Sequence, residues 1–129
     1  MKYSYSKDIK STFQNAENKV RQELSKVGFG ILTEINIKDA FKLKLDLDYK
    51  YYKILGACNP TLAHQALDSE NLIGVLMPCN ILIIDNEDES IKIVFPYAKN
   101  LLEITSNNNI LKLSEEVDLL LKKAFSNIE

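Results

Sequence analysis

Hydrophobic positions recur at helical spacing in two long segments of the chain, each of which predicts an amphipathic helix. The first segment ends at Gly28, in the position of a C-terminal cap, and starts at a Ser11–Gln14 capping-box pattern, with Asp8 as the competing N-cap. The second follows a loop at 107–109. The stripes consist of Phe13, Ala16, Val20, Leu24 and Val27, and of Ile110, Leu113, Val117, Leu120, Leu121, Ala124 and Phe125.

Alternating or β-rich runs predict five strands, at residues 2–7, 29–37, 49–55, 81–84 and 90–95. The polar run at 85–89 joins the last two as a hairpin. In the last strand, Ile91, Ile93 and Phe95 are expected to face the core. In the second, we expect apolar Phe29, Ile31, Ile35 and Ile37 on one face and polar Glu34 and Asn36 on the other.

Further helices are expected between these strands. Residues 37–47 fit either a strand or a short helix capped by Asn36, and we favour the helix. Gly56 to Asn59 is interpreted as a break, and Asn59-Pro60 as a helix start with Asn as N-cap and Pro at the first helical position. A short helix from Asp68 or Ser69 to Met77 is expected to end at Pro78.

Helices mixed with hairpin-connected strands indicate an α+β fold, a largely antiparallel sheet covered by helices. A length of 129 residues fits one domain, residues 1–129. A sheet covered on one side leaves its other face or an edge without a partner. We therefore expect a homodimer.

Composition and charge exclude several classes of function. A net charge of −2 gives no strong field for nucleic acid or anionic lipid. The polar start lacks the apolar core of a signal peptide, and the longest nearly apolar stretch, 72–84, is too short to span a bilayer. With two cysteines and no secretory signal, we expect a cytoplasmic protein with free thiols. Arg21 is the only arginine, so bidentate clamps for phosphate are nearly absent.

The densest cluster of candidate chemistry is Gly56-Ala57-Cys58-Asn59-Pro60. Cys58 precedes a helix N-terminus, where the dipole and unpaired N–H groups favour a thiolate, so it is the candidate nucleophile. Gly56 would allow a ligand to approach the backbone, and Asn59 would orient it. The alternative is structural, with Asn59 as a cap and Cys58 as a small buried apolar residue.

A second cluster, Met77-Pro78-Cys79-Asn80, follows a predicted helix, whose negative dipole end would raise the pKa of the Cys79 thiol. Cys58, Cys79 and His64 could form a three-ligand metal site, completed by water or a second subunit. A redox pair of Cys58 and Cys79 is the weaker alternative, since no CxxC motif is present. His64 is otherwise expected to be a partly exposed residue of the helix surface.

The aromatic and basic run Tyr49-Lys50-Tyr51-Tyr52-Lys53 could stack a nucleobase. A half-buried strand whose lysines extend over apolar surface explains the same pattern. The net negative charge of the chain disfavours nucleic-acid binding.

Four blocks of sequence resemble the domain of unknown function 302 family. They are Gly28-Phe29-Gly30-Ile31-Leu32-Thr33-Glu34-Ile35, Tyr52 to Pro60 with the letters GACNP, Leu62-Ala63 with Ala66-Leu67, and Ile73-Gly74 followed by Met77-Pro78-Cys79-Asn80. The resemblance implies a compact α+β fold, similar to the TATA-binding-protein-like or helix-grip arrangement, often as a homodimer. It also marks Glu34, Gly56, Cys58, Asn59, Pro60, Pro78, Cys79 and Asn80 as signature positions.

These observations support a small-ligand or metal-binding module as the leading hypothesis. Its ligand-binding residues would be Glu34, Gly56, Cys58, Asn59, Cys79 and Asn80. The alternatives are a thiol-dependent redox or transfer enzyme that uses Cys58, and a structural homodimeric interaction module. Whether the protein is an enzyme stays open, and the residues identify no particular cofactor.

Overall fold

The computed structural model describes residues 2–129. In chain order the elements are β1 (Ser4–Lys10), α1 (Phe13–Lys26), β2 (Gly30–Asn36), α2 (Ile37–Leu45), β3 (Tyr52–Cys58), α3 (Pro60–Ser69), a 3₁₀ helix (Asn71–Leu76), β4 (Cys79–Asp85), β5 (Ser90–Pro96), α4 (Ala98–Leu102), a second 3₁₀ helix (Glu103–Thr105) and α5 (Asn108–Ser126). Within this part of the chain, no helix has the length and apolar character that crossing a membrane requires.

The five strands form one sheet in the order β1-β5-β4-β3-β2, and every neighbouring pair is antiparallel. Helices α1 and α5 pack against each other, and α1 covers the sheet at β4 and β5. Both α3 and α4 pack against α5. The predicted α+β class, a largely antiparallel sheet covered by helices, is therefore confirmed.

The core lies between the sheet and the α1–α5 layer. The inward face of each central strand alternates with its outward face, as a period of two requires. Ile91, Ile93 and Phe95 of β5 are buried, as predicted. Ile81 and Ile83 of β4 are also buried. They meet apolar side chains of both helices: Ala16, Val20 and Leu24 from α1, and Leu121 and Ala124 from α5.

The predicted faces of β2 are wrong beyond its third residue, because a β-bulge shifts the register between Ile31 and Thr33. A bulge adds one residue to one strand and exchanges the two faces after it. Glu34 therefore pairs with Leu55 on the helix-covered side, whereas Ile35 points outward with 49% of its surface exposed.

Local capping confirms some expected boundaries and corrects others. Asn36 caps α2 and Asn59 caps α3, each through its side-chain oxygen, so the helical interpretation of the segment after residue 36 is confirmed. Gly28 adopts φ +87°, as expected of a C-terminal cap. The N-cap of α1, however, is Thr12, whose hydroxyl accepts the Asn15 N–H at 3.1 Å, rather than Ser11 or Asp8.

The two strands at the candidate site differ from their predicted bounds. β4, at Cys79–Asp85, is longer than the predicted 81–84, and β3 has the predicted length but lies three residues later than 49–55. β3 continues through Cys58, because Gly56 and Ala57 pair with Asn80 and Cys79, so the expected break at 56–59 is wrong. The helix predicted up to Met77 is a 3₁₀ helix that ends at Leu76. Apolar side chains need not be periodic in a short 3₁₀ segment, which explains why its type was missed.

The outward face of the sheet is apolar at its centre. It carries Tyr52 and Ile54 from β3, Leu82 and Ile84 from β4, and Val94 from β5, all half-buried. An antiparallel sheet with one solvated face usually has polar residues there. This face therefore differs from an ordinary solvated surface.

Candidate functional site

The ladder between β3 and β4 brings the two cysteine clusters together. Cys79, the first residue of β4, lies opposite Ala57, and Cys58 is the next and last residue of β3. Asn59 follows at once as the cap of α3, and its Oδ1 accepts the Leu62 N–H at 3.2 Å. The two sequence blocks thus meet at one corner of the sheet, and both thiols are free.

This corner contains a small, partly open cavity of about 70 Å³ between the sheet, α3, the first 3₁₀ helix and α5. The polar and sulfur-bearing residues of its wall are Cys58, Asn59, Met77, Cys79 and Ser114. The remaining wall is apolar and includes Phe29, Leu62, Ala66, Ile73, Ile110 and Val117. Among residues 2–129, no charged side chain lines it.

A wider groove of about 390 Å³ lies next to this cavity, at the end of β4 and β5. Leu76, Pro78, Cys79, Ala98 and Leu102 line both spaces. The groove adds Leu82 and Val94 from the outward face of the sheet, together with Asn80, Ser4 and Tyr3 near its polar rim. Within the described part of the chain, its wall also lacks charged side chains.

Burial is the main cause of the raised pKa values of both thiols. It raises the pKa of Cys58 above its ordinary value, in spite of the helix that begins two residues later. It raises the pKa of Cys79 to about 11, with smaller contributions from Asp118 and Cys58. Two neutral thiols are polarizable, mainly apolar wall groups, so this geometry gives no support to an activated nucleophile at Cys58.

Gly56 is buried, and other parts of the chain occupy the space beside it. A Cβ at this position would overlap the Thr33 hydroxyl and lie 2.6 Å from Cγ of Pro78. Gly56 therefore permits Thr33 and Pro78 to close over the sheet, and no room is left there for a ligand. Asn80 is also outside this cavity, because alternation along β4 points it away from Cys79, toward the groove.

Glu34 lies in a network of four charges, away from the cysteines. Lys53 Nζ is 2.8 Å from Glu17 Oε1 and 2.6 Å from Glu34 Oε1. Arg21 Nη2 is 2.9 Å from Glu17 Oε2 and 3.0 Å from Glu34 Oε2. Hydrogen bonding to Lys53 is the main cause that lowers the pKa of Glu34. The single arginine thus links α1 to the sheet, a role that its sequence context did not indicate.

His64 cannot complete the proposed metal site. Its side chain is 79% exposed, and its Nε2 lies 3.6 Å from Asp68 Oδ2 on the solvent side of α3. Across residues 2–129, no group of three or more His, Cys, Asp or Glu side chains is arranged to hold a metal ion. A site made of Cys58, Cys79 and His64 is therefore wrong for this chain by itself.

One hydroxyl near the cavity is buried without a hydrogen bond among the described residues, that of Tyr5. Burial is the main cause that raises its pKa, and Asp118, Tyr97 and Cys79 contribute. Asp118 is engaged elsewhere, since its carboxylate accepts the N–H groups of Ala98 and Lys99 at the start of α4. Neither this cap nor α4 was predicted, because the capping carboxylate lies about 20 residues downstream in α5.

The fold and the cysteine corner define an α+β protein with a single antiparallel sheet and an apolar cavity at one end. The family model described as "Domain of unknown function DUF302" matches residues 5–128, so the chain belongs to that family. A crystal structure of an uncharacterized conserved protein DUF302 from Bacillus stearothermophilus has the same fold, with a TM-score of 0.91 over 100% of both chains at 20% sequence identity. No curated protein matches the chain.

Proposed function

We propose that this protein binds a small, uncharged apolar ligand in the small cavity beside Cys58 and Cys79. The observation that carries the proposal is the cavity itself, which is lined almost entirely by apolar groups and by no charged side chain. Protein interiors are normally packed without such spaces, and apolar cavities that stay dry bind small apolar molecules.

The dimensions and chemistry of the cavity limit what would bind there. Its volume of about 70 Å³ is roughly half of the ~150 Å³ that accepts benzene in an engineered cavity, which favours a chain of a few carbons over a ring. The absence of charged wall residues disfavours a charged ligand, because burying an unpaired ion is costly. Neutral thiols would contribute contact through sulfur, in agreement with the raised pKa values of both cysteines.

Methyl NMR with 1-butanol as probe tests this proposal. Protein labelled at Ile, Leu and Val methyl groups is expected to show saturable shifts of Leu62, Ile73 and Val117, which line the cavity. Ala66→Leu would fill the cavity from α3 and is expected to abolish these shifts.

The matched control is His64→Leu, which adds apolar volume to the exposed side of the same helix and should leave the shifts unchanged. Shifts that are absent in the wild type, or unchanged in Ala66→Leu, would reject the cavity as the binding site.

The outward sheet face favours a second candidate function, that of a homodimeric module. Five strands about 4.8 Å apart and seven residues of about 3.4 Å give a face roughly 24 Å on each side. Its projected area, roughly 580 Å², is about 70% of the ~800 Å² that each partner contributes to a standard interface. A second copy of this chain is the favoured occupant, since an isologous contact places the apolar centre of the face against itself.

Sedimentation velocity tests the dimer. Ile54→Lys places a charge at the half-buried centre of the face and is expected to shift a dimer to monomer. Leu119→Lys, at a side chain on α5 that is 73% exposed, is the control and should leave the sedimentation coefficient unchanged. A wild-type monomer at high protein concentration would contradict this candidate.

A further inference from the structure

The small cavity and the neighbouring groove share a wall. The same five residues, Leu76, Pro78, Cys79, Ala98 and Leu102, contribute to both spaces. Both spaces are partly open to solvent; the cavity is the smaller, at about 70 Å³, whereas the groove holds about 390 Å³, within the usual range for ligand sites. A ligand that passes this wall would occupy both.

The chemistry of the two walls agrees. Neither contains a charged side chain, and both are dominated by aliphatic groups. The polar atoms of the groove lie in Tyr3, Ser4 and Asn80, and two of these residues, Tyr3 and Asn80, are exposed to solvent. An uncharged polar end of a ligand would therefore be hydrated at this rim, while its apolar remainder lies against Leu82, Leu102 and the walls of the small cavity.

We infer that the ligand is a linear, uncharged aliphatic molecule, such as a medium-chain alcohol, with its tail in the small cavity and its polar end in the groove. This inference rests on the proposed function, because it uses the same cavity. It adds the shape, the polarity and the orientation of the ligand. A bulky ring would not fit the narrow end, and a carboxylate would meet no basic side chain in either space.

The shared wall contains side chains that can open the passage without unfolding a strand. Leu76 ends the first 3₁₀ helix and is 41% exposed, and Leu102 ends α4. Both belong to short helical segments, which are held by fewer backbone hydrogen bonds than the strands. Rotation of these side chains would join the two spaces along the Cys79 side of the sheet.

A chain-length series of primary alcohols from 1-butanol to 1-octanol tests the inference by methyl NMR. Each added methylene is expected to tighten binding by up to about fourfold, the ratio that burial of one CH₂ group gives. 1-Butanol should shift Ile73 in the cavity, whereas 1-octanol should shift Ile73 and Leu82 of the groove with one shared midpoint. Octanoate should bind more weakly than 1-octanol at neutral pH.

Two variants separate this inference from the proposed function. Leu101→Trp would fill the groove from α4. It should remove the higher affinity of 1-octanol over 1-butanol, while 1-butanol still binds. Ala66→Leu should abolish the binding of both alcohols.

Equal affinities for 1-butanol and 1-octanol, or tighter binding of octanoate, would overturn the inference and leave the proposed function intact. A complete lack of 1-butanol binding would instead overturn the proposed function, and the inference would fail with it.

Discussion

Cys79 lies directly opposite Ala57 in the ladder between β3 and β4, and this register places Cys58 and Cys79 in the wall of one cavity. Residues 21 positions apart in sequence therefore share a site through one pair of strands. The same register points Asn80 to the other face and removes it from the cavity. The motif thus marks a structural corner whose cavity is the candidate binding site.

Alkylation kinetics should show two slow thiols. Burial raises the pKa of Cys58 and raises that of Cys79 to about 11, so both are protonated at pH 8 and react more slowly than free cysteine. The rates should continue to increase as the pH rises beyond the free thiol value. Iodoacetamide labelling of Cys79→Ala and Cys58→Ala, which each retain one thiol, measures this. If the alkylation rate of Cys58 stops increasing below pH 8, the thiol pKa is not raised. That result would favour the alternative of a thiol-dependent enzyme that uses Cys58.

Gly56→Ala should destabilise the protein by about 1–3 kcal/mol, the usual cost of overpacking. The added Cβ would overlap the Thr33 hydroxyl and contact Pro78. Gly30→Ala is the matched control, because a Cβ there meets no atom within 4 Å and the change should have little effect. Urea denaturation of both variants compares the two glycines. Equal stabilities would show that the close approach at Gly56 is unimportant.

Lys53→Met should cost about 3 kcal/mol of stability, because it leaves the buried Glu17 carboxylate with only one cationic partner. The Lys53 side chain is 15% exposed and that of Glu17 is 7% exposed, so solvent replaces the lost charge poorly. Lys99→Met, which breaks the exposed pair with Glu115, is the control and should have a small effect. Chemical denaturation at neutral pH measures both, and comparable losses would contradict a special role for the network.

The same network should make stability depend on pH in acid. The pKa of Glu34 is lowered in the folded protein, so the unfolded chain binds the proton more readily. The contribution of Glu34 to the free energy of unfolding is complete above its ordinary pKa of 4.5. It is lost as the pH falls through the lowered pKa of the folded protein. Glu34→Gln should flatten this part of the stability profile. A profile that is unchanged in Glu34→Gln would show that other carboxyl groups cause the acid loss.

Two buried hydroxyls should respond in opposite ways to removal. Tyr5→Phe should be neutral or stabilising, because the Tyr5 hydroxyl has no hydrogen bond among residues 2–129. Ser114→Ala should cost about 1 kcal/mol, since the buried Ser114 hydroxyl donates to the Leu111 carbonyl at 2.7 Å. Thermal unfolding compares them. A larger loss in Tyr5→Phe than in Ser114→Ala would contradict this assignment.

Local signals in the sequence predicted much of the fold. The caps Asn36 and Asn59 identified the starts of α2 and α3, and the stripe from Phe13 to Leu24 identified α1. The bulge after Ile31 was not predictable, because an added residue changes the faces of β2 without changing its composition. The cap of α4 was missed for a different reason: Asp118 is distant in sequence.

The candidate site was predicted in part. The GACNP and PCN blocks indicated Cys58, Asn59 and Cys79, which do line one cavity. Glu34 and His64 do not belong to it, since their positions depend on the bulge and on which side of α3 meets α5. The dipole argument for Cys58 considered the helix alone, whereas burial dominates its thiol pKa. Burial of this kind depends on the tertiary packing of distant elements, which one local motif does not contain.

Crystals pressurised with xenon test the cavity most directly, because xenon enters dry apolar spaces without a hydrogen bond. The account predicts xenon density between Leu62, Ile73 and Val117 in the wild type and its loss in Ala66→Leu. His64→Leu should retain the density. An empty wild-type cavity, or equal xenon density in Ala66→Leu, would contradict the central claim that this corner of the protein is an apolar binding site.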